Sequence, residues 1–212
     1  MKRSISILLT AMFILFLTIL AVGQAVNPPP EQMPVPLNES GQIAVHGHPT
    51  PYLIRHLPVS SFPELPEPVA ADLNRRGCLI PQTYEAHRPE NVIHASLERA
   101  GSSDWAVLCS AQGKVMLLIF FASGPDSGAA WPLNFSTVAE TTRLQPHGAN
   151  GELGFNWGID RATPQQVHDA EAAMPLRPAR LDHDALADSV VDGRVVYRFY
   201  SNRVWTQVYR TE

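Results

Sequence analysis

The stretch that most restricts how this chain can fold is WAVLCSAQGKVMLLIFFA, residues 105–122. Its first part alternates, so that Trp105, Val107 and Cys109 share one face. Its second part is apolar throughout, and Gln112-Gly113 between the two has turn chemistry. Alternation at period two marks a half-buried strand, and a short continuous apolar run marks a strand buried on both faces. With NVIHASLER (91–99) and the turn residues Gly101-Ser102-Ser103-Asp104 in front, the region reads as an antiparallel meander whose last strand needs cover on both sides.

Helix signals flank this meander. In FPELPEPVAADLNRRGC, Pro68 opens a helix, Val69 and Leu73 stand four apart, Arg75 and Arg76 lie near its negative end, and Gly77 is the C-cap. Thr163-Pro164-Gln165-Gln166 is a capping box opening a second helix to about Met174, stopped by Pro175, with Val167, Ala170 and Met174 as its apolar face. SGPDSGAAWPLN is a loop and FSTVAETTRL a strand candidate. QPHGANGELGFNWGID is read as an irregular loop or a hairpin around Asn150-Gly151, and RVVYRFYSNRVWTQVYR as a terminal hairpin around Ser201-Asn202. The expected fold is α+β, a mostly antiparallel sheet of about five to seven strands with two short helices, occupying residues 62–212 as a single domain. Upstream, prolines at 28, 29, 30, 34, 36, 49, 51 and 58 predict a proline-rich tether over 26–61, its later part QIAVHGHPTPYLIRHLPVS lying extended along the domain.

Met1-Lys2-Arg3, an apolar run from Ile5 to Val22 and a small-residue exit have the plan of a signal peptide over 1–25, with an uncleaved N-terminal anchor as the competing reading. Either places the rest of the chain outside the cytoplasm: periplasmic, in the cell envelope or secreted. Losing Lys2 and Arg3 takes the net charge from −4 to −6. An acidic domain is a poor partner for nucleic acid, and membrane contact is expected only through an uncleaved leader. The two cysteines, Cys78 and Cys109, are expected to form a disulfide in an oxidising compartment; a buried free-thiol pair and a reactive cysteine are the alternatives.

Chemistry-bearing patterns are sparse. LDHDALAD (181–188) places Asp182, Asp184 and Asp188 at three positions of a calcium loop, but Arg180 and Ala185 occupy its first position and its glycine. The competing reading makes Asp184 the cap of a helical turn ALADSV, with Asp182 and Asp188 solvated. His46, His48, His56 and His94 invite zinc, yet no acid or cysteine stands at ligand spacing, and they read as surface histidines, mostly on the tether. GPDSG (124–128) lacks the nucleophile-elbow spacing, and H-E-x-x-H, P-loop and G-x-G-x-x-G motifs are absent. A hydrolase would have to assemble its site from distant residues such as His168, Asp182, His183 and Asp184. Trp131 and Trp157, both in glycine-rich loops, would make a protein or saccharide contact if they stand at the surface.

RGCLIPQ (76–82), DWAVLCS (104–110), DHDAL (182–186) and the closing aromatic hairpin together resemble a family of exported bacterial proteins with no assigned activity. The resemblance covers roughly Phe62 to Tyr209. It implies export and a structural role for Cys78 and Cys109. Ala185 stands where the family pattern has glycine, which weakens the calcium reading because a side chain resists positive φ. The expected function is a non-enzymatic binding or structural module, with an envelope hydrolase and a calcium-stiffened accessory module as alternatives.

Overall fold

A computed structural model describes residues 34–124, 131–173 and 180–210. The expected leader and the GPDSG serine, Ser127, lie outside the described residues. Among the described residues no helix is long and apolar enough to cross a membrane.

The described strands form two sheets. The first contains β1 (Leu37–Val45), β2 (His48–Pro58), β3 (Leu79–Gln82), β4 (Val92–Ala95), β5 (Asp104–Ala111), β6 (Lys114–Phe120), β7 (Leu133–Ala139), β8 (Leu144–His147) and β9 (Glu152–Phe155). The second is an antiparallel run in chain order: β10 (Trp157–Ala162), β11 (Ala185–Val190), β12 (Val195–Ser201) and β13 (Val204–Tyr209). Helix α1 is Glu67–Arg76 and helix α2 is Pro164–Ala170.

The parity of the strands shows how these elements stack. On β6, Val115, Leu117 and Ile119 enter a core shared with Trp157 and Ile159 of β10 and Leu186 of β11, so this core lies between the sheets. The alternate residues Leu118 and Phe120 join Trp105, Val107 and Cys109 of β5 in a second core, against Val69 and Leu73 of α1. Tyr197 and Phe199 of β12, with Ala185 and Ala187 of β11, pack on Val167 and Ala170 of α2. The result is four layers: α1, first sheet, second sheet, α2. The expected two-sided cover of residues 114–122 and the shared face of Trp105, Val107 and Cys109 are both present.

Local signals that are complete within a few residues produced the expected elements. Gly77 caps α1 in the left-handed region at φ 70°, as only glycine does at little cost. Thr163 and Gln166 close the capping box of α2. The Cys78–Cys109 disulfide ties the end of α1 to β5, and such a bond belongs to an oxidising compartment.

The expected five to seven strands undercount the thirteen described. The glycine-rich stretch is the β8–β9 hairpin followed by β10. ALADSV is strand β11, not a capped helical turn: Leu186 faces the inter-sheet core while Ala185 and Ala187 face α2, and burial on both sides outweighs the helix preference of alanine. The region expected as a tether is also corrected, since residues 37–58 are β1 and β2. Their two-residue turn has positive φ at both His46 (50°) and Gly47 (82°), the turn sense that matches strand twist.

Strand β2 holds three partners on two edges. β1 runs along one edge, from Val45↔His48 to Leu37↔His56. The other edge takes β9, in parallel, at Tyr52 and Leu53, and then β3, antiparallel, at Arg55 to Pro58. Pro49 and Pro51 precede the β9 pairing, so an amide directed to that edge would meet no strand there, and the prolines cost little.

Candidate functional site

The β1–β2 register places Leu37, Glu39 and Gly41 opposite His56, Ile54 and Tyr52. Ile54 belongs to the inter-sheet core, so His56 and Tyr52, two residues to either side, share that face. Glu140 reaches the same place from the 3-10 turn Glu140–Arg143 that follows β7, its amide fixed by donation to the Gly113 carbonyl at 3.0 Å. His56 Nε2 donates to Glu140 Oε1 at 2.8 Å, and the two side chains are 3% and 2% exposed. The donor atoms of Glu39, His56 and Glu140 all lie within 4.8 Å of one another. This is the one such group of three or more His, Cys, Asp or Glu among the described residues.

Glu39 is exposed and forms the open side of the group; its Oε1 accepts from the Tyr52 hydroxyl at 3.3 Å. The Tyr52 ring lies against Gly41, where a Cβ would meet it at 2.8 Å, so glycine is what lets the phenol reach Glu39. Burial, then the charge and hydrogen bond of Glu39, then the charge of Glu140, push the Tyr52 phenol above its ordinary pKa.

Glu140 differs in one respect from the carboxylates that tie the fold together. Asp104, fully buried, accepts from the amides of Leu97, Glu98 and Ala122 at 2.7 Å each, and from the Ser102 hydroxyl. Asp188 accepts from Trp157 Nε1 and Arg198 Nε at 2.7 Å each. Those carboxylates are satisfied and tie elements together. Glu140 Oε2, by contrast, is buried without a hydrogen-bond partner. Covalent geometry keeps that oxygen beside Oε1, at the His56 contact. Among the described residues neither Glu39 nor Glu140 forms an ion pair with lysine or arginine. Two carboxylates against one imidazole make a pocket of negative charge.

The residues singled out from sequence are placed differently. Asp182, Asp184 and Asp188 do not converge. Asp182 is 82% exposed and pairs with His183; Asp184 accepts from the Ser96 amide and Arg161; Asp188 holds Trp157 and Arg198. Asp184 and Asp188 are separated by the length of an extended segment, about 13 Å, too far for one ion. Asp184 caps no helix; its amide and carboxylate both bond Ser96, joining the start of β11 to the segment after β4. His168 lies on α2 and shares no hydrogen bond or ion pair with Asp182, His183 or Asp184 among the described residues. Trp157 is fully buried on β10 under the Arg143 guanidinium, not on a surface loop. Trp131 is half-buried, donating to the Phe121 carbonyl and set edge-on to Phe120. Trp157 therefore cannot contribute to an outward aromatic surface, and Trp131 does so only in part.

His56 was readable only as a tether histidine because its acid partner is 84 residues away. A partial signal was present. A two-residue turn at His46-Gly47 fixes the register that sets Glu39 diagonal to His56, whereas nothing near Glu140 in sequence points to it. No protein-family model, no curated protein and no solved structure significantly matches this chain.

Proposed function

We propose that this chain is an exported, non-enzymatic binding module whose ligand site is the Glu39–His56–Glu140 group with Tyr52, and that the site takes a cation. The observation that carries this reading is the buried, unpartnered Glu140 Oε2 beside a second carboxylate. A buried polar atom left without a partner costs about 1–3 kcal/mol, and a cation at this point would remove that cost. Export is supported by the disulfide and by the leader-like N-terminus. Of the two tryptophans that would support the expected protein or saccharide partner, Trp157 is buried and Trp131 half-buried, and among the described residues His168 shares no hydrogen bond or ion pair with Asp182, His183 or Asp184.

The test is a melting series of the full chain in EDTA and in separate divalent chlorides. A cation present at about 100 times its dissociation constant should stabilise by about 2.7 kcal/mol, roughly 5–10 °C for a chain of this size. Melting temperatures that no cation moves would remove the reading.

A further inference from the structure

We propose that the cation is a transition-metal dication of the zinc class, held by Glu39, His56 Nε2 and Glu140, with a fourth position open to solvent. This rests on the cation-site reading and narrows it.

The donor set makes the selection. Calcium and magnesium take oxygen ligands, whereas an imidazole nitrogen suits zinc and its neighbours in the transition series. Spacing agrees. Zinc bonds His nitrogen and carboxylate oxygen at about 2.0–2.2 Å, so tetrahedral donors stand about 3.3–3.6 Å apart. The three donor atoms already lie within 4.8 Å of one another. His56 and Glu140, at 2.8 Å, must part slightly as the ion replaces the proton they share, and Glu39, exposed at the rim, must close in.

The supports are those of a metal site. Each ligand stands on a different element: Glu39 on β1, His56 on β2, and Glu140 on the turn after β7. The Tyr52 hydroxyl holds Glu39 Oε1 and leaves Oε2 for the ion, the orienting role that outer hydrogen bonds play around metal ligands. A purely structural histidine–glutamate pair accounts for Glu140 Oε1 and leaves Oε2 without a partner, which a cation bound by that carboxylate through Oε2 would supply. Three protein ligands leave one coordination position open to water, unlike a closed four-ligand structural site.

The deciding experiment is isothermal titration of the disulfide-intact full chain, without a tag, with zinc chloride and separately with calcium chloride. Wild type should take up one zinc per chain. Glu39→Gln, at an exposed position that the fold tolerates, should weaken zinc by about 10-fold or more, and His56→Gln and Glu140→Gln at least as much; Tyr52→Phe should cost about 10-fold as an outer-shell change. Should circular dichroism find the two buried variants unfolded, Glu39→Gln decides alone. Calcium uptake in place of zinc, lost in Glu140→Gln but kept in His56→Gln, overturns the zinc assignment and leaves the cation site standing. Uptake of neither ion overturns both. Zinc uptake unchanged in Glu39→Gln places the ion elsewhere and overturns the assignment.

Discussion

Two histidine–carboxylate pairs, His56–Glu140 and His183–Asp182, share a 2.8 Å contact and differ in everything around it. In the second, Asp182 is 82% exposed, and the other ring nitrogen of His183 meets the Tyr200 carbonyl at 2.7 Å. The Asp182 carboxylate and the Tyr200 carbonyl thus engage both ring nitrogens. In the first, both groups are buried and one carboxylate oxygen has no partner. The contact distance alone does not separate the two pairs; the unspent acceptor of Glu140 does.

The largest effect is expected at His56. In chelator-containing buffer, His56→Leu leaves the Glu140 carboxylate buried and unpaired, and urea unfolding should register a loss of about 3–5 kcal/mol. Asp182→Asn, tested in parallel, should leave the midpoint near that of wild type. Equal losses in the two variants would erase the distinction between the pairs.

Reducing the disulfide should cost about 3–4 kcal/mol for a separation of 31 residues, read in the same urea series. Cys109 belongs to the core on the α1 side of the sheet and His56 to the opposite face, so zinc affinity of the reduced but folded chain should not move. A fall in affinity would mean that the two faces are coupled.

Gly41→Ala sharpens the role of the open side. The new methyl displaces the Tyr52 ring from Glu39, and the expected result is a stability loss of about 1 kcal/mol, with zinc affinity lowered to about the level of Tyr52→Phe.

The smallest effect is acid-dependent. The hydrogen bond from His183 holds the Asp182 carboxyl below the ordinary carboxylate range. A depressed folded-state pKa contributes stability that is present above the unfolded value near 4 and is lost as pH falls through the lower folded value. Melting temperatures between about pH 5 and pH 2 should therefore fall slightly more steeply for wild type than for Asp182→Asn. Parallel curves would show that the exposed pair adds nothing.

What the sequence disclosed follows the range of each signal. The capping residues of α1 and α2, the β5–β6 turn and the terminal hairpin are decided by neighbours a few positions apart, and each was legible. That hairpin turns at Asn202 and Arg203, both at positive φ, one position beyond the expected centre. β2 was not legible because its prolines forbid a central strand in general, and only knowing where β9 begins to pair shows that they are tolerated. β11 was hidden because Ala185, Leu186 and Ala187 favour a helix alone and become a strand only when covered on both faces. The candidate site was hidden for the same reason at greater range: Asp182 and His183 are neighbours in the chain and attract notice, while His56 and Glu140 meet only after the first sheet has closed.

Because β3 and β9 share one edge of β2, residues near 80 and residues near 153 are indexed against each other by a segment near 55. In a chain made from its N-terminus, the seam of the sheet thus emerges well before the second strand it must join. The β1–β2 hairpin can form early, since its contacts are local, but the part of its free edge at Tyr52 and Leu53 stays open until β9 arrives, about a hundred residues later. The hairpin near the start of the sheet thus waits for β9 before its second edge is complete.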